Sequence, residues 1–167
     1  SVRGSVCLYQ GEELGLTEAD VAFEDLQDPY GIEFWPEFKG RDGCRTPMQW
    51  DSTSNAGFCP PSSTPWLPVT EGYQTTNVAA QQNNPTSLLQ TYAKLVHFKQ
   101  NQPALSSQYL EIVQAYLLPK NILGYYRGTG KDRVLVLLNF NNKAVALPEF
   151  DCTKLVMALT PNSSVSQ

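Results

Sequence analysis

One short run concentrates the side chains of this sequence that could recognise a polar ligand. Residues 40–51 contain Arg41, Arg45, two aspartates and Trp50. A guanidinium presents a fixed fork of donors that matches carboxylates and pairs of hydroxyls, and an aromatic face suits the apolar side of a sugar ring. Loops held by a rigid scaffold often carry binding residues. The run therefore indicates part of a site, and on chemistry alone it fits equally well a structural loop whose arginines only pair with nearby acids.

Four further blocks accompany this run in a fixed order. They are residues 9–16 and 28–31 before it, and residues 55–58 and 65–69 after it. In this order the blocks resemble the oligo-1,6-glucosidase and α-glucosidase group of the α-amylase family of glycoside hydrolases. The sequence of residues 24–31, followed by that of residues 34–38, is most similar to bacterial α-glucosidases. The strong resemblance covers residues 5 to about 100 and is specific because five blocks stand in register.

The resemblance implies a fold larger than this chain. Family members are similar to one another in having a (β/α)8 barrel with a small inserted domain and a C-terminal β-sandwich. Such a barrel needs roughly 250 residues, whereas the chain has 167. Residues 5–10 resemble the eighth barrel strand. We therefore expect an α+β fragment: the last strand, long loop and last helix of the barrel in residues 1–103, then an antiparallel β-sandwich in residues 104–167.

The same resemblance places the catalytic carboxylates outside this chain. The family's aspartate nucleophile, glutamate acid/base and third aspartate follow barrel strands four, five and seven, and the third lies in an Asn-His-Asp type motif. The single histidine, His97, does not lie in such a motif. We expect the three carboxylates on an upstream N-terminal part of the same enzyme, and the isolated chain to be inert.

Two substrate-binding residues follow from the resemblance. Family enzymes close the pocket around a terminal glucose with a salt-bridged arginine and aspartate, and the arginine matches Arg41; its partner is expected upstream. Bidentate bonding to the far hydroxyls would select a chain end. Glu18, on the loop after the last strand, matches the region that lines the acceptor subsite. An exposed glutamate at the start of a helix is an equal alternative for Glu18.

The remaining polar and aromatic residues of these blocks are expected to support the site. Arg45 should tie the loop to Asp42 or Asp51. Glu12 and Glu13 are expected to support the floor of the pocket. Phe34, Trp35 and Trp50 are expected to pack the loop.

The function implied is that of a retaining, exo-acting α-glucosidase. A carboxylate attacks the anomeric carbon, and water or another alcohol releases the glucosyl-enzyme. Expected substrates are small α-glucosides such as maltose, isomaltose or sucrose, with no cofactor and no metal. A transglucosylase or sucrose isomerase shares these blocks. A non-catalytic relative, such as the ectodomain of an amino-acid-transporter heavy chain, would instead be a partner-binding module.

Composition excludes several other classes. The net charge of −4 gives no reason to expect nucleic-acid or membrane binding, and no apolar run reaches the roughly 18 residues of a membrane span. The four cysteines lack the Cys-x-x-Cys spacing of a zinc site. We expect reduced thiols, with Cys7 buried, and a cytoplasmic enzyme. The alternative is a Cys44–Cys59 disulfide in a periplasmic or secreted protein.

The elements that must position these residues follow from periodicity and turn signals. Residues 6–9 predict a buried strand, and Thr17 predicts a helical turn over residues 17–23. Residues 85–101 show helical spacing, with Asn84 as cap and Pro85 in the first turn. Short apolar runs then predict a sandwich whose central strand is residues 134–138. The candidate strands are residues 109–117, 122–126, 133–140, 143–147 and 154–159.

Overall fold

The structure is a computed structural model that describes residues 1–151. It contains two compact units. One unit is Cys7–Ala93, and the other joins Ser1–Val6 to the chain from Lys94 onward. The domain boundary expected between residues 103 and 104 stays a prediction.

The unit Cys7–Ala93 is built from irregular segments pinned by short helices. Its α-helices are α1, Pro29–Glu33, and α2, Val78–Gln82. The carboxylate of Asp28 accepts the N–H of Tyr30 at the start of α1, and Asn77 accepts the N–H of Ala80 at the start of α2. Each cap satisfies a backbone donor that the first helical turn leaves free. Single 3-10 turns lie at Glu12–Leu14, Phe23–Asp25, Asp42–Cys44 and Ser54–Gly57.

A small apolar core holds this unit together. Val21, Leu26 and Leu67 are buried against one another, and Trp35 packs at the edge of the group. The Trp35 ring also lies 5.6 Å from the ring of Phe23. Full burial of a leucine side chain contributes about 1.5–3 kcal/mol, so Leu26 and Leu67 each stabilise the surrounding loops.

Two local predictions near the start of the chain are wrong. Residues 6–9 form no strand, and Val6 and Leu8 are 57% and 46% exposed. A strand needs a hydrogen-bonding neighbour, and none of the strands in residues 1–151 pairs with this segment. Residues 17–22 form no helix, because the N–H of Ala19 is donated to the carbonyl of Gly43 at 2.9 Å.

The longest helix, α3, is Leu88–Asn101. The prediction of a helix in this region is confirmed, but its start and cap differ. Ser87 Oγ accepts the N–H of Gln90 at 3.2 Å, whereas Asn84 Oδ1 accepts the N–H of Thr86 in the preceding turn. No residue of α3 is buried. The apolar side chains that recur at helical spacing along it, among them Leu88 and Val96, therefore form a stripe that is partly open to solvent. His97 is exposed, and within the described residues its ring contacts only the side-chain amide of Asn101.

The second unit contains helix α4, Pro103–Ser106, and one antiparallel sheet. The strands are β1, Leu110–Ile112; β2, Ile122–Arg127; and β3, Val134–Asn139. Single 3-10 turns lie at Ala115–Leu117 and Gly130–Asp132. The predictions at residues 122–126 and 133–140 are confirmed, and the strand expected over residues 109–117 is shortened to β1.

The order of the strands within residues 1–151 differs from the expected one. The order is β1-β2-β3, with Tyr125 of β2 opposite Val136 of β3. Among the described strands the central one is β2, which buries Gly124, Tyr125 and Arg127, and the apolar β3 lies at an edge. A central place for β3 in the sheet of the whole chain stays a prediction. Residues 143–147 form no strand, residues 154–159 lie outside the described residues, and the second sheet of a sandwich stays a prediction.

A buried arginine fixes β2 to the chain around α4 and β1. Arg127 is 0% exposed and donates only to carbonyl oxygens. Its Nε bonds Tyr109, its Nη2 bonds Leu105 and Ser107 at 2.8 and 2.7 Å, and its Nη1 bonds Ser1. Sequence patterns gave no sign of this role, because an arginine at the end of an apolar strand is ordinarily exposed.

Candidate functional site

Two glycines allow the segments that form the site to approach each other closely. A Cβ on Gly31 would lie 2.6 Å from the carbonyl oxygen of Lys39. Gly40 has a φ of +75°, and a Cβ there would lie 3.0 Å from the Cβ of Asp28. The positive φ of Gly40 favours glycine, and at both positions a side chain would collide with the neighbouring segment. The glycines thus place helix α1 directly against the start of residues 40–51.

Two buried carboxylates tie these segments to each other reciprocally. Asp42 Oδ2 accepts the backbone N–H groups of Gln27 and Asp28 at 2.6 and 2.7 Å. In return, Asp28 Oδ2 accepts the backbone N–H of Arg41 at 3.0 Å. The side chains of Asp28 and Asp42 are 1% and 0% exposed. We call this pair of aspartates and the segments that they join the carboxylate clasp.

Arg41 is anchored by the clasp at one end of its guanidinium. Its Nε lies 3.3 Å from Asp28 Oδ2, and its side chain is 62% exposed. No residue among 1–151 accepts a hydrogen bond from its Nη atoms. Within residues 1–151 the donors of the two terminal nitrogens are therefore unpaired. The upstream aspartate expected as a partner of Arg41 stays a prediction.

Arg45 contributes charge to the clasp without a hydrogen bond to it. Its Nη1 lies 3.8 Å from Asp28 Oδ2 and 3.9 Å from Asp42 Oδ1, which are ion-pair rather than hydrogen-bond distances. Asp42 Oδ1 itself has no hydrogen-bond partner in the described structure. Of the two predicted partners of Arg45, Asp42 is correct. Asp51 instead accepts the backbone N–H and hydroxyl of Thr53.

The electrostatics of the clasp favour an ionised Asp28. Burial by itself would raise the pKa of this carboxyl, but the backbone N–H groups of Tyr30 and Arg41 and the Arg41 guanidinium outweigh it. The net effect holds the pKa of Asp28 below its ordinary value. The carboxylate is therefore a fixed negative charge that orients the guanidinium beside it.

Glu18 comes close to the turn that follows Arg41. The hydrogen bond from Ala19 to Gly43 brings the two segments together, and a Cβ on Gly43 would lie 2.7 Å from Glu18 Cγ. Glu18 is exposed and borders a cleft of about 290 Å³. Glu18 is not at the start of a helix, although it is exposed as that alternative requires, and its place at the acceptor subsite stays a prediction. The residues that line the cleft are Glu18, Ala19, Asp20, Val21, Lys39 and Gly43.

The aromatic residues of the region divide between packing and exposure. Trp35 packs at the core, as expected, and the ammonium of Lys39 lies 5.4 Å from its ring centre. Phe34 stacks on Tyr30 but is 52% exposed, and Trp50 is 50% exposed. Packing within the described residues therefore accounts for only part of the surface of Phe34 and Trp50.

The two glutamates assigned to the pocket floor lie in one short turn. Glu13 Oε2 accepts the N–H of Gly11 at 2.9 Å, and Glu12 is exposed. Their role at the pocket floor stays a prediction.

Residues 1–151 contain free thiols, but neither a group of metal ligands nor a helix able to span a membrane. Cys7, Cys44 and Cys59 are free thiols, and Cys7 is exposed rather than buried. Within residues 1–151 no three His, Cys, Asp or Glu side chains are grouped so that they could hold a metal ion. In the same part of the chain, no helix combines the length and apolar character needed to cross a membrane.

The arrangement of these segments corresponds to a known domain. A model of the α-amylase catalytic domain matches residues 1–108. This chain belongs to the α-amylase family. The resemblance to the α-amylase family read from five sequence blocks is thereby confirmed.

Individual α-amylase family members are similar over most of the chain. A probable α-glucosidase of Rhizobium meliloti (strain 1021) is 47% identical over 144 residues, covering 86% of this chain and 25% of that protein. An oligo-1,6-glucosidase of Parageobacillus thermoglucosidasius is 32% identical over 187 residues, covering 99% of this chain and 32% of that protein. The crystal structure of an α-glucosyl transfer enzyme superimposes with a TM-score of 0.74 at 46% identity, covering 83% of this chain and 25% of that one.

The chain thus spans about a quarter to a third of the length of these relatives. Sequence reasoning had found Arg41, Glu18 and Arg45 but missed Asp28 as the centre of the clasp. The available signal was the dipeptide Asp28-Pro29, since an aspartate before a proline is typical of a helix start. That signal predicts the cap on α1, but not the second set of bonds to Arg41.

Proposed function

We propose that the whole protein is a retaining, exo-acting α-glucosidase and that this chain supplies part of its glucose-binding pocket. The support is the exposed guanidinium of Arg41, which is anchored through Nε and has both terminal nitrogens available. Such a fork matches two neighbouring hydroxyls of a terminal glucose. Family membership and the names of the similar proteins point to α-glucosides as the substrate class.

In this proposal the chain recognises the substrate and does not perform the chemistry. Retaining hydrolysis needs one carboxylate as nucleophile and another as acid/base. The buried carboxylates of Asp28 and Asp42 are committed to backbone N–H groups, which makes them poor candidates for either task. We place the catalytic carboxylates in an upstream part of the same protein, in a (β/α)8 barrel that a β-sandwich follows. Glu18 would then contact the leaving group or the incoming alcohol from the cleft beside Gly43.

Glucosyl transfer is the second candidate. It is favoured because the α-glucosyl transfer enzyme is about as similar to this chain as the probable α-glucosidase is, at 46% and 47% sequence identity. The two reactions share the glucosyl-enzyme and differ in whether water or a sugar hydroxyl accepts the glucose. Analysis of the products that the full-length protein forms from sucrose separates them: hydrolysis yields glucose and fructose in equal amounts, whereas transfer yields fructose together with new disaccharides or longer oligosaccharides and correspondingly less glucose. With maltose or isomaltose both reactions release glucose, and the new oligosaccharides identify transfer.

The pocket assignment is tested by replacing Arg41 in the full-length protein. Arg41→Ala removes two or more charge-assisted hydrogen bonds to the substrate, so kcat/KM for a chromogenic α-glucoside should fall by at least about 100-fold. Arg133→Ala is the matched control, because Arg133 lies over the ring of Tyr126 in the other unit, at 3.9 Å. Near-normal turnover by Arg41→Ala would contradict the assignment.

A further inference from the structure

Asp28 makes contacts that the cap on helix α1 does not require. One oxygen, Oδ1, accepts the N–H of Tyr30 at 3.1 Å and serves the cap. The other, Oδ2, accepts both the backbone N–H and the Nε–H of Arg41, at 3.0 and 3.3 Å. The side chain of Asp28 is 1% exposed, so water does not compete for these bonds. A single buried oxygen thus fixes both ends of the flexible stem of Arg41.

We propose that Asp28 is a positioning residue that holds the Arg41 guanidinium in the orientation that bonds the far hydroxyls of a terminal glucose. The inference rests on the proposed function of Arg41. A long side chain that is free in the unbound protein loses rotamer freedom when it binds, and a side chain fixed beforehand loses less. Asp28 therefore contributes to substrate affinity and orientation without contacting the substrate.

The rest of the clasp keeps Asp28 itself in place. Asp42, the residue after Arg41, accepts the backbone N–H groups of Gln27 and Asp28 through Oδ2. Gly40 packs its backbone against the Cβ of Asp28. Arg45 adds a positive charge 3.8 Å from Asp28 Oδ2, so that the carboxylate lies between two guanidinium groups. All the contacts that hold Arg41 and Asp28 in place therefore lie within one compact unit.

The variant Asp28→Asn separates positioning from simple loss of a side chain. Asparagine has one carbonyl oxygen, so it can keep the cap on α1 or the bonds to Arg41, but not both. The amide also lacks the charge that attracts the guanidinium. The variant keeps the size of the side chain, and its effect on the site is therefore a change in where the guanidinium lies.

The decisive measurement compares substrates with and without the hydroxyl that Arg41 bonds. The full-length protein and its variants are assayed for kcat/KM with 4-nitrophenyl α-glucoside and with its 3-deoxy and 4-deoxy analogues. Arg41→Lys identifies the hydroxyl that Arg41 bonds. On the analogue that lacks this hydroxyl, kcat/KM of Arg41→Lys should equal that of the wild type. Asp28→Asn should lose up to about 100-fold on the glucoside, as expected for a misplaced binding group, and less than about 3-fold on that analogue.

Two further variants control for charge and for folding. Asp25→Asn removes an exposed carboxylate three residues away, and no residue in the described part of the chain bonds that side chain. It should match the wild type on every substrate. If Asp28→Asn yields no soluble protein, Asp28→Glu keeps the charge but moves it by one methylene. It should show the same substrate-dependent loss.

The possible results separate this inference from the function on which it rests. Equal losses by Asp28→Asn on the glucoside and on its analogues would mean that Asp28 only supports the fold, and the positioning role would be wrong. Wild-type kinetics for both Asp28 variants would overturn it too. Turnover by Arg41→Lys and Arg41→Ala at wild-type rates, or no turnover of any α-glucoside by the wild type, would instead remove the proposed function and the inference with it.

Discussion

At the scale of single residues, the site depends on side chains whose neighbours are distant in sequence. Asp28 and Arg41 are separated by 12 intervening residues, yet one carboxylate oxygen bonds two nitrogens of the arginine. The approach is possible because Gly31 and Gly40 leave no side chain between the two segments. The chemistry of the individual residues was readable from the sequence, but the pairing of Arg41 with Asp28 was not.

The ionisation of Asp28 predicts how stability depends on pH. Its pKa in the folded protein lies below its ordinary value of 3.8, because hydrogen bonds and Arg41 outweigh the effect of burial. A depressed pKa contributes stability that is complete above the ordinary value and is lost as the pH falls through the folded-state value. The wild type should therefore be more stable than Asp28→Asn above about pH 4, and the difference should shrink below pH 3.8.

Denaturant midpoints of the two proteins between pH 6 and pH 2.5 measure this difference, with Asp25→Asn as the control for a general change in charge. A stability difference that persists unchanged at the acid end would show that the ionised form of Asp28 is not responsible for it.

At the scale of elements, the helices begin where a side chain satisfies their first backbone donors. Asp28, Asn77 and Ser87 each accept an N–H from the first turn of α1, α2 and α3. In α3 the chain offers two rival caps, and the apolar periodicity alone does not distinguish them. The turn formed by Asn84 and Thr86 delays the start of the helix to Leu88.

The choice of cap on α3 is open to a direct test. Ser87→Ala removes the oxygen that accepts the N–H of Gln90, which should destabilise the first turn of the helix by about 1 kcal/mol. Hydrogen exchange of the amides at the start of α3 in the full-length protein should accelerate about fivefold, as 1 kcal/mol implies. Asn84→Ala should leave the exchange of Gln90 nearly unchanged. The reverse order of effects would restore Asn84 as the cap.

At the scale of the whole molecule, each compact unit exposes apolar side chains that ordinarily lie inside a domain. Leu8 in the unit Cys7–Ala93 is 46% exposed, and Val96 in the other unit is 44% exposed. Large exposed apolar surfaces usually mark interfaces. This chain aligns with only about a quarter to a third of the length of its relatives. In our proposal, the rest of the full-length protein covers these exposed apolar side chains.

The isolated polypeptide of residues 1–167 should therefore self-associate, whereas the full-length protein should not. Light scattering after size exclusion should show the apparent mass of the isolated polypeptide rising with concentration. Val96→Lys in the isolated polypeptide should reduce this association, because a charge opposes burial of the stripe on α3. A monomer that unfolds cooperatively and binds no hydrophobic dye would contradict the prediction. The isolated polypeptide should also fail to hydrolyse a chromogenic α-glucoside.

Family membership, helix α3 and the strands β2 and β3 could be predicted from the sequence by itself. These features depend on local patterns: ordered motif blocks, helical spacing and short apolar runs between turn residues. Only the tertiary structure decided that residues 6–9 form no strand, that β2 is the central strand within residues 1–151, and that Arg127 is buried among carbonyl groups. It also decided that Asp28 holds Arg41. Each of these depends on which distant backbone and side-chain groups meet, because a strand without a neighbour or a carboxylate without a donor has no defined role.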